Sequence, residues 1–180
     1  VRELLAQYEQ LLPQIPHAVF LARYTDNHDE GRGIYRFGLE ATKAMTQLLY
    51  LTNRCVPFML AGQEFGAANR PSIHNRFGCC DKGREVTASD RIYFQDGIEW
   101  EGNSFLRTYE ARRSLLEFYR QIMRLRQEYP ALCTGAFRFS DIQENEVPAR
   151  HTLVAIEREL DGIIIRGLVN LGHEARSFSN

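Results

Sequence analysis

Apolar residues recur at helical spacing in the first dozen positions: Leu4, Leu5, Tyr8, Leu11 and Leu12 share one face of "VRELLAQYEQLL", and Pro13 and Pro16 close the run. The pattern then becomes continuous. Ala18 to Ala22, "AVFLA", contain a β-branched and an aromatic residue without polar alternation, which predicts a strand buried on both faces, as in a parallel sheet. A polar cluster, "RYTDNHDEGRG", follows at once. Ala41, Ala44, Met45, Leu48 and Leu49 then mark a second helix running to about Asn53, and "CVPFMLAG" predicts a second buried strand. Helix, strand, polar loop, helix, strand, polar loop is the rhythm of βα units around a parallel sheet.

From Gln63 to about Gly102 the sequence reads as one long connection that holds Phe65, Phe77, Tyr93, Phe94 and Trp100. So much aromatic content favours a functional loop over a disordered linker, with pinning of the loop by its rings as the alternative. A long helix is predicted from about Ser104 to Glu128, with Leu115, Phe118, Tyr119, Ile122 and Leu125 on its inner face, Asn103 or Ser104 as cap, and Pro130 as stop. Beyond Gly135 the period changes to two. Phe137 and Phe139 alternate with polar residues, and Asp161-Gly162 joins two apolar runs as a hairpin. A domain boundary is therefore expected near residue 134: residues 1–134 form an α/β part and residues 135–180 begin a small antiparallel β domain.

Composition narrows the function classes. The chain has 180 residues, of which 44% are hydrophobic and 25% charged, so it can bury a core. A formal net charge of -1 with mixed signs gives no footprint for nucleic acid or an anionic membrane. No apolar run has the length of a membrane span and no leader pattern opens the chain, which predicts a soluble protein, cytoplasmic or secreted. Cys55, Cys79, Cys80 and Cys133 lack C-x-x-C or zinc-finger spacing and are read as reduced, structural residues.

The strand-end cluster carries a resemblance. "YTDNHDEGR" is similar to the fourth conserved region of the α-amylase superfamily, glycoside hydrolase family 13, with Asn27, His28, Asp29 and Arg32 at the matching positions. "CVPFMLAGQEFG" resembles the segment of the family's eighth barrel strand, with Cys55 in place of a usual glycine, and "FYRQIMRLRQEYPAL" resembles the final barrel helix. Three blocks in family order are a specific signal, where a lone N-H-D would be weak. The resemblance implies the C-terminal part of a (β/α)8 TIM-type barrel followed by a small antiparallel β-sandwich, and activity toward α-glucosidic bonds with retained configuration. Barrel sites lie where strands end, the place of both Asp29 and Glu64.

By this resemblance Asp29 is the catalytic candidate, stabilising an oxocarbenium-like transition state, and His28, Asn27, Arg32 and Glu64 are substrate-binding candidates. Read from the residues alone, Asp26 is a turn or cap residue, Arg32 pairs with a barrel carboxylate or lies on the surface, and Glu64 faces substrate or braces its loop. The family's nucleophilic Asp and acid Glu belong to earlier strands, so the upstream half of the barrel is expected as a partner. "RFGLEATK" echoes the nucleophile motif through Glu40 and Lys43, but Gly38 stands where arginine belongs. A complete barrel needs roughly 250 residues. The alternative is a non-catalytic carbohydrate-binding or interaction module of the same fold. No cofactor is expected. Calcium, bound by many relatives, finds no carboxylate cluster at oxygen-ligand spacing here.

Overall fold

The computed structural model describes residues 2–27, 32–67, 106, 108–140 and 152–172. In chain order these form α1 (Arg2–Leu11), β1 (Leu21–Arg23), α2 (Gly33–Leu51), β2 (Cys55–Pro57), α3 (Tyr109–Glu128), α4 (Ala131–Thr134), β3 (Ala136–Ser140), β4 (Leu153–Leu160) and β5 (Ile163–Asn170), with short 3-10 turns at Leu12–Gln14 and Gln63–Phe65. β1 pairs with β2 in parallel, Leu21 opposite Cys55 and Arg23 opposite Pro57. β3, β4 and β5 form an antiparallel sheet in that order. The chain divides into two compact units: residues 1–23, 44–57 and 122–180, and residues 24–43 and 58–121. This division by packing cuts across the change from α/β to antiparallel elements at Gly135.

In the first unit, Leu48 and Leu51 of α2 pack with Leu132 of α4, Val154 and Ile156 of β4 and Val169 of β5. Tyr8 of α1 meets the rings of Phe137 and Phe139 at 5.8 and 6.1 Å. Two arginines are buried among these apolar groups. Arg158, 1% exposed, donates to the carbonyls of Leu51, Thr52, Leu132, Gly135 and Ala136 at 2.9 to 3.2 Å. Arg126 donates to the carbonyls of Tyr50, Leu132 and Cys55. The last carbonyls of a helix have no partner within it, and a cation at that end also meets the negative pole of the helix dipole.

Two strands differ from expectation. Ala18 to Phe20 lie outside β1, with Val19 and Phe20 39% and 49% exposed, and the second strand stops at Pro57, leaving Phe58 and Met59 exposed. A parallel strand is buried on both faces only where other layers cover it, and β1–β2 is a two-stranded sheet among the described residues. α2 starts earlier than Ala41 and contains a break at Gly38, where φ of 77° demands a residue without Cβ. α3 starts at Tyr109, and Thr108 caps it by accepting the Ala111 N–H at 3.1 Å; Asn103 and Ser104 lie outside the described residues. Leu125 is 45% exposed, and Arg126 takes the inward place one position on. The hairpin matches expectation: Asp161 and Gly162 both have positive φ, 51° and 78°, as a type I′ turn requires.

Cys55 is buried and Cys133 half-buried, and both are free; Cys79 and Cys80 lie outside the described residues. Burial pushes the Cys55 thiol up to about 11, against the opposing pull of Arg126. Reactivity belongs to the thiolate. Iodoacetamide is therefore expected to modify Cys133 before Cys55 in the folded chain, and peptide mass mapping of Cys55 labelled first would contradict its burial.

On the sheet, Arg138, Glu157 and Arg166 stand directly opposite one another across β3, β4 and β5. Hydrogen bonds from Arg166 (2.9 Å) and Arg138 hold the Glu157 carboxyl below its ordinary value of 4.5. A lowered carboxylate pKa stabilises the fold above the unfolded value, and that contribution disappears as pH falls through the folded one. Glu157→Gln should flatten the acid limb of a urea-stability profile below about pH 5 and leave its shape above that unchanged.

Candidate functional site

The second unit contains the loops that follow both short strands. After β1, Asp26 is 1% exposed and turns back toward the start of α2. Its Oδ1 accepts the Gly33 N–H at 2.7 Å, and its Oδ2 lies 3.2 Å from Arg32 Nε. Arg32 is equally buried. Its Nε hydrogen goes to the Ala67 carbonyl at 3.0 Å and its terminal nitrogen to the Ala61 carbonyl at 3.0 Å, so charge rather than a hydrogen bond holds Oδ2. Burial pushes the Asp26 carboxyl up, opposed first by Arg32; burial likewise presses Arg32 toward neutrality, opposed by Asp26 and then by Glu64.

After β2, Gly62 and Gly66 take left-handed conformations at the two ends of the Gln63–Phe65 turn. Gln63 is buried, and its amide nitrogen donates to Thr25 Oγ1 at 2.7 Å and to Tyr119 Oη at 2.6 Å, while its oxygen accepts the Leu60 N–H at 3.2 Å. One side chain thus joins the loop after β1, the loop after β2 and α3. Tyr24 and Phe58, the residues that follow the two strands, meet edge to face at 6.1 Å. The two loops are therefore neighbours.

Of the residues singled out in the sequence, Asn27 is half-buried in the first loop and Arg32 closes that loop. Glu64 is half-buried in the second, and its Oε2 is a buried acceptor with no hydrogen-bond partner. His28 and Asp29 lie outside the described residues. Gln63, Thr25 and Tyr119 were missed; the available signal was a glutamine inside an apolar run, between Gly62 and Glu64, where a polar group can be buried only with partners. Lys43 spends its charge on Glu40 at 3.1 Å and on Ser114 Oγ at 2.9 Å, and Glu40 is exposed. Among the described residues no three His, Cys, Asp or Glu side chains converge on a metal position.

No protein-family model matches the sequence. The chain is 23% identical over 143 residues to Alpha-amylase 2 of Dictyoglomus thermophilum, an alignment spanning 74% of this chain and 22% of that protein. The chain is thus similar to a curated α-amylase over about three quarters of its length. Solved structures share its fold. Isomaltulose synthase from Erwinia rhapontici superposes with a TM-score of 0.59 at 20% identity, covering 96% of this chain and 38% of that one. An α-amylase from H. orenii superposes at 0.54 and 20% identity, covering 84% and 30%. The chain thus spans less than two fifths of the length of these α-amylase-family relatives. Its match is to their C-terminal portion.

No helix among the described residues is long and apolar enough to cross a membrane. In the first site loop, a Cβ at position 33 would stand 2.7 Å from Asp26 Oδ1, closer than packed atoms allow. Gly33→Ala should therefore push the Asp26 carboxylate off the α2 N-terminus and cost about 1–3 kcal/mol, the usual range for overpacking. Urea unfolding measures it, and an unchanged midpoint would show that the loop yields without loss.

Proposed function

We propose that the complete protein is a glycoside hydrolase or transglycosylase that acts on α-glucosidic bonds with retention of configuration. Residues 1–134 are its C-terminal barrel part and residues 135–180 the start of a C-terminal all-β domain. In this reading the upstream half of the barrel supplies the nucleophile and the acid/base. The observation that carries the reading is the adjacency of the two strand-end loops: Asn27 and Arg32 on one, Glu64 on the other, joined through Gln63 and the Tyr24–Phe58 contact. The similarity to an α-amylase suggests the chemistry, and the isomaltulose synthase structure holds sucrose, itself an α-glucoside.

In this reading a sugar ring lies over the loop ends. Cleavage builds positive, oxocarbenium-like charge on the ring while hydrogen bonds to its neighbouring hydroxyls strengthen. Asp29 accepts from those hydroxyls and its charge opposes the one that develops; His28 donates to another hydroxyl. Asn27 adds a third polar contact. Glu64, whose Oε2 is buried without a hydrogen-bond partner, supports the Arg32 charge from the second loop. Starch-like chains and maltooligosaccharides are the substrates of this reading, which the similarity to an α-amylase supports.

Asp29→Ala in the complete protein is expected to lower kcat on maltooligosaccharides by about 10² or more, the scale of losing one transition-state partner. Near-native turnover would remove Asp29 from the site. Sugar binding by a wild-type protein without turnover would favour a non-catalytic carbohydrate-binding module.

A further inference from the structure

We infer that Arg32 is a positioning residue: with Asp26 it closes the loop that carries Asn27, His28 and Asp29 and fastens that loop to the one that carries Glu64. The inference rests on the proposed function for its meaning, and on geometry for its substance. Asp26 and Gly33 lie seven positions apart, yet both carboxylate oxygens of Asp26 are engaged at the far end of the loop, Oδ1 by the Gly33 N–H and Oδ2 by the Arg32 cation. Any path the chain takes between them begins and ends at this clasp. Arg32 then reaches the carbonyls of Ala61 and Ala67, one on each side of the turn that holds Glu64.

One guanidinium therefore sets the spacing of the two candidate sugar-binding loops. The task needs a planar fork, because three acceptors lie in fixed and different directions; an ammonium group in the same place cannot span both carbonyls. Asp26 keeps the cation charged inside the protein, and the Glu64 carboxylate supports it from the other loop. A small displacement of positioned groups costs up to about 10² in rate. Such an effect is separable from stability, because replacing both members of a buried ion pair is often neutral for folding while removing one is not.

The test uses the complete protein with Arg32→Lys, Arg32→Met and the pair D26N/R32M. In the pair variant the urea midpoint is expected to rise above that of Arg32→Met but to stay short of wild type, because the Ala61 and Ala67 carbonyls still lack their donor, while kcat stays about tenfold to a hundredfold lower and KM moves less than about threefold. A folded pair variant with kcat within about twofold of wild type would overturn the inference, since a purely structural pair recovers kcat with the fold. If the pair variant does not fold, Arg32→Lys carries the same reading: kcat reduced at nearly constant KM supports positioning, and wild-type kcat overturns it. If the wild-type protein turns over no α-glucoside, the proposed function fails by itself. Amide exchange of the peptide spanning residues 24–33 in the 180-residue chain then decides: faster exchange in Arg32→Lys supports the clasp, and unchanged exchange overturns it.

Discussion

Backbone carbonyls that no secondary structure satisfies are answered here by buried arginines. Arg126 and Arg158 fill the open acceptors at the end of α2 and around α4, and Arg32 those of Ala61 and Ala67, while the half-buried Arg54 takes the carbonyl of Ile15 and adds a second donor to those of Leu12 and Pro16. A buried carbonyl without a donor costs roughly 1–3 kcal/mol, and hydrogen bonds from a charged donor are among the stronger ones. The guanidinium suits this use because its five N–H groups diverge in one plane, so one residue can serve three or more acceptors. The cost is a desolvated charge. Burial presses Arg158 toward neutrality, and nearby Arg126 adds to that pressure.

This economy explains what could and could not be read from the chain. Helices α1, α2 and α3, the parallel order of two strands and the Asp161-Gly162 hairpin follow from periodicity and turn chemistry, which act locally. Leu125 and Arg126 show the limit. A pattern of apolar residues assigns the leucine inward and the arginine outward, and the structure reverses both, because the carbonyls of Tyr50 and Cys55 lie more than seventy positions away and leave no mark near residue 126. Threonines at 42 and 46 are buried on α2 for a similar reason, their place being fixed by tertiary packing rather than hydropathy.

The candidate site was legible in part. Asn27, Arg32 and Glu64 were singled out because they sit in short motifs at strand ends, and motifs survive in a single sequence. What the motif does not state is which members face a ligand and which hold the others. Arg32 and Asp26 turn toward the backbone and each other, whereas the buried Oε2 of Glu64 has no hydrogen-bond partner. Gln63, unremarkable beside two glycines and a glutamate, proves to be the side chain shared by two loops and a helix.

Asp26 and Arg32 are each 1% exposed, whereas the Glu117–Arg120 pair on α3 lies largely in water. Mobile counter-ions weaken an attraction only where they can approach it. The helix-surface pair should fade as ionic strength rises, while the loop clasp stays as strong in brine as in dilute buffer, so the site's spacing is insulated from the salinity of its surroundings.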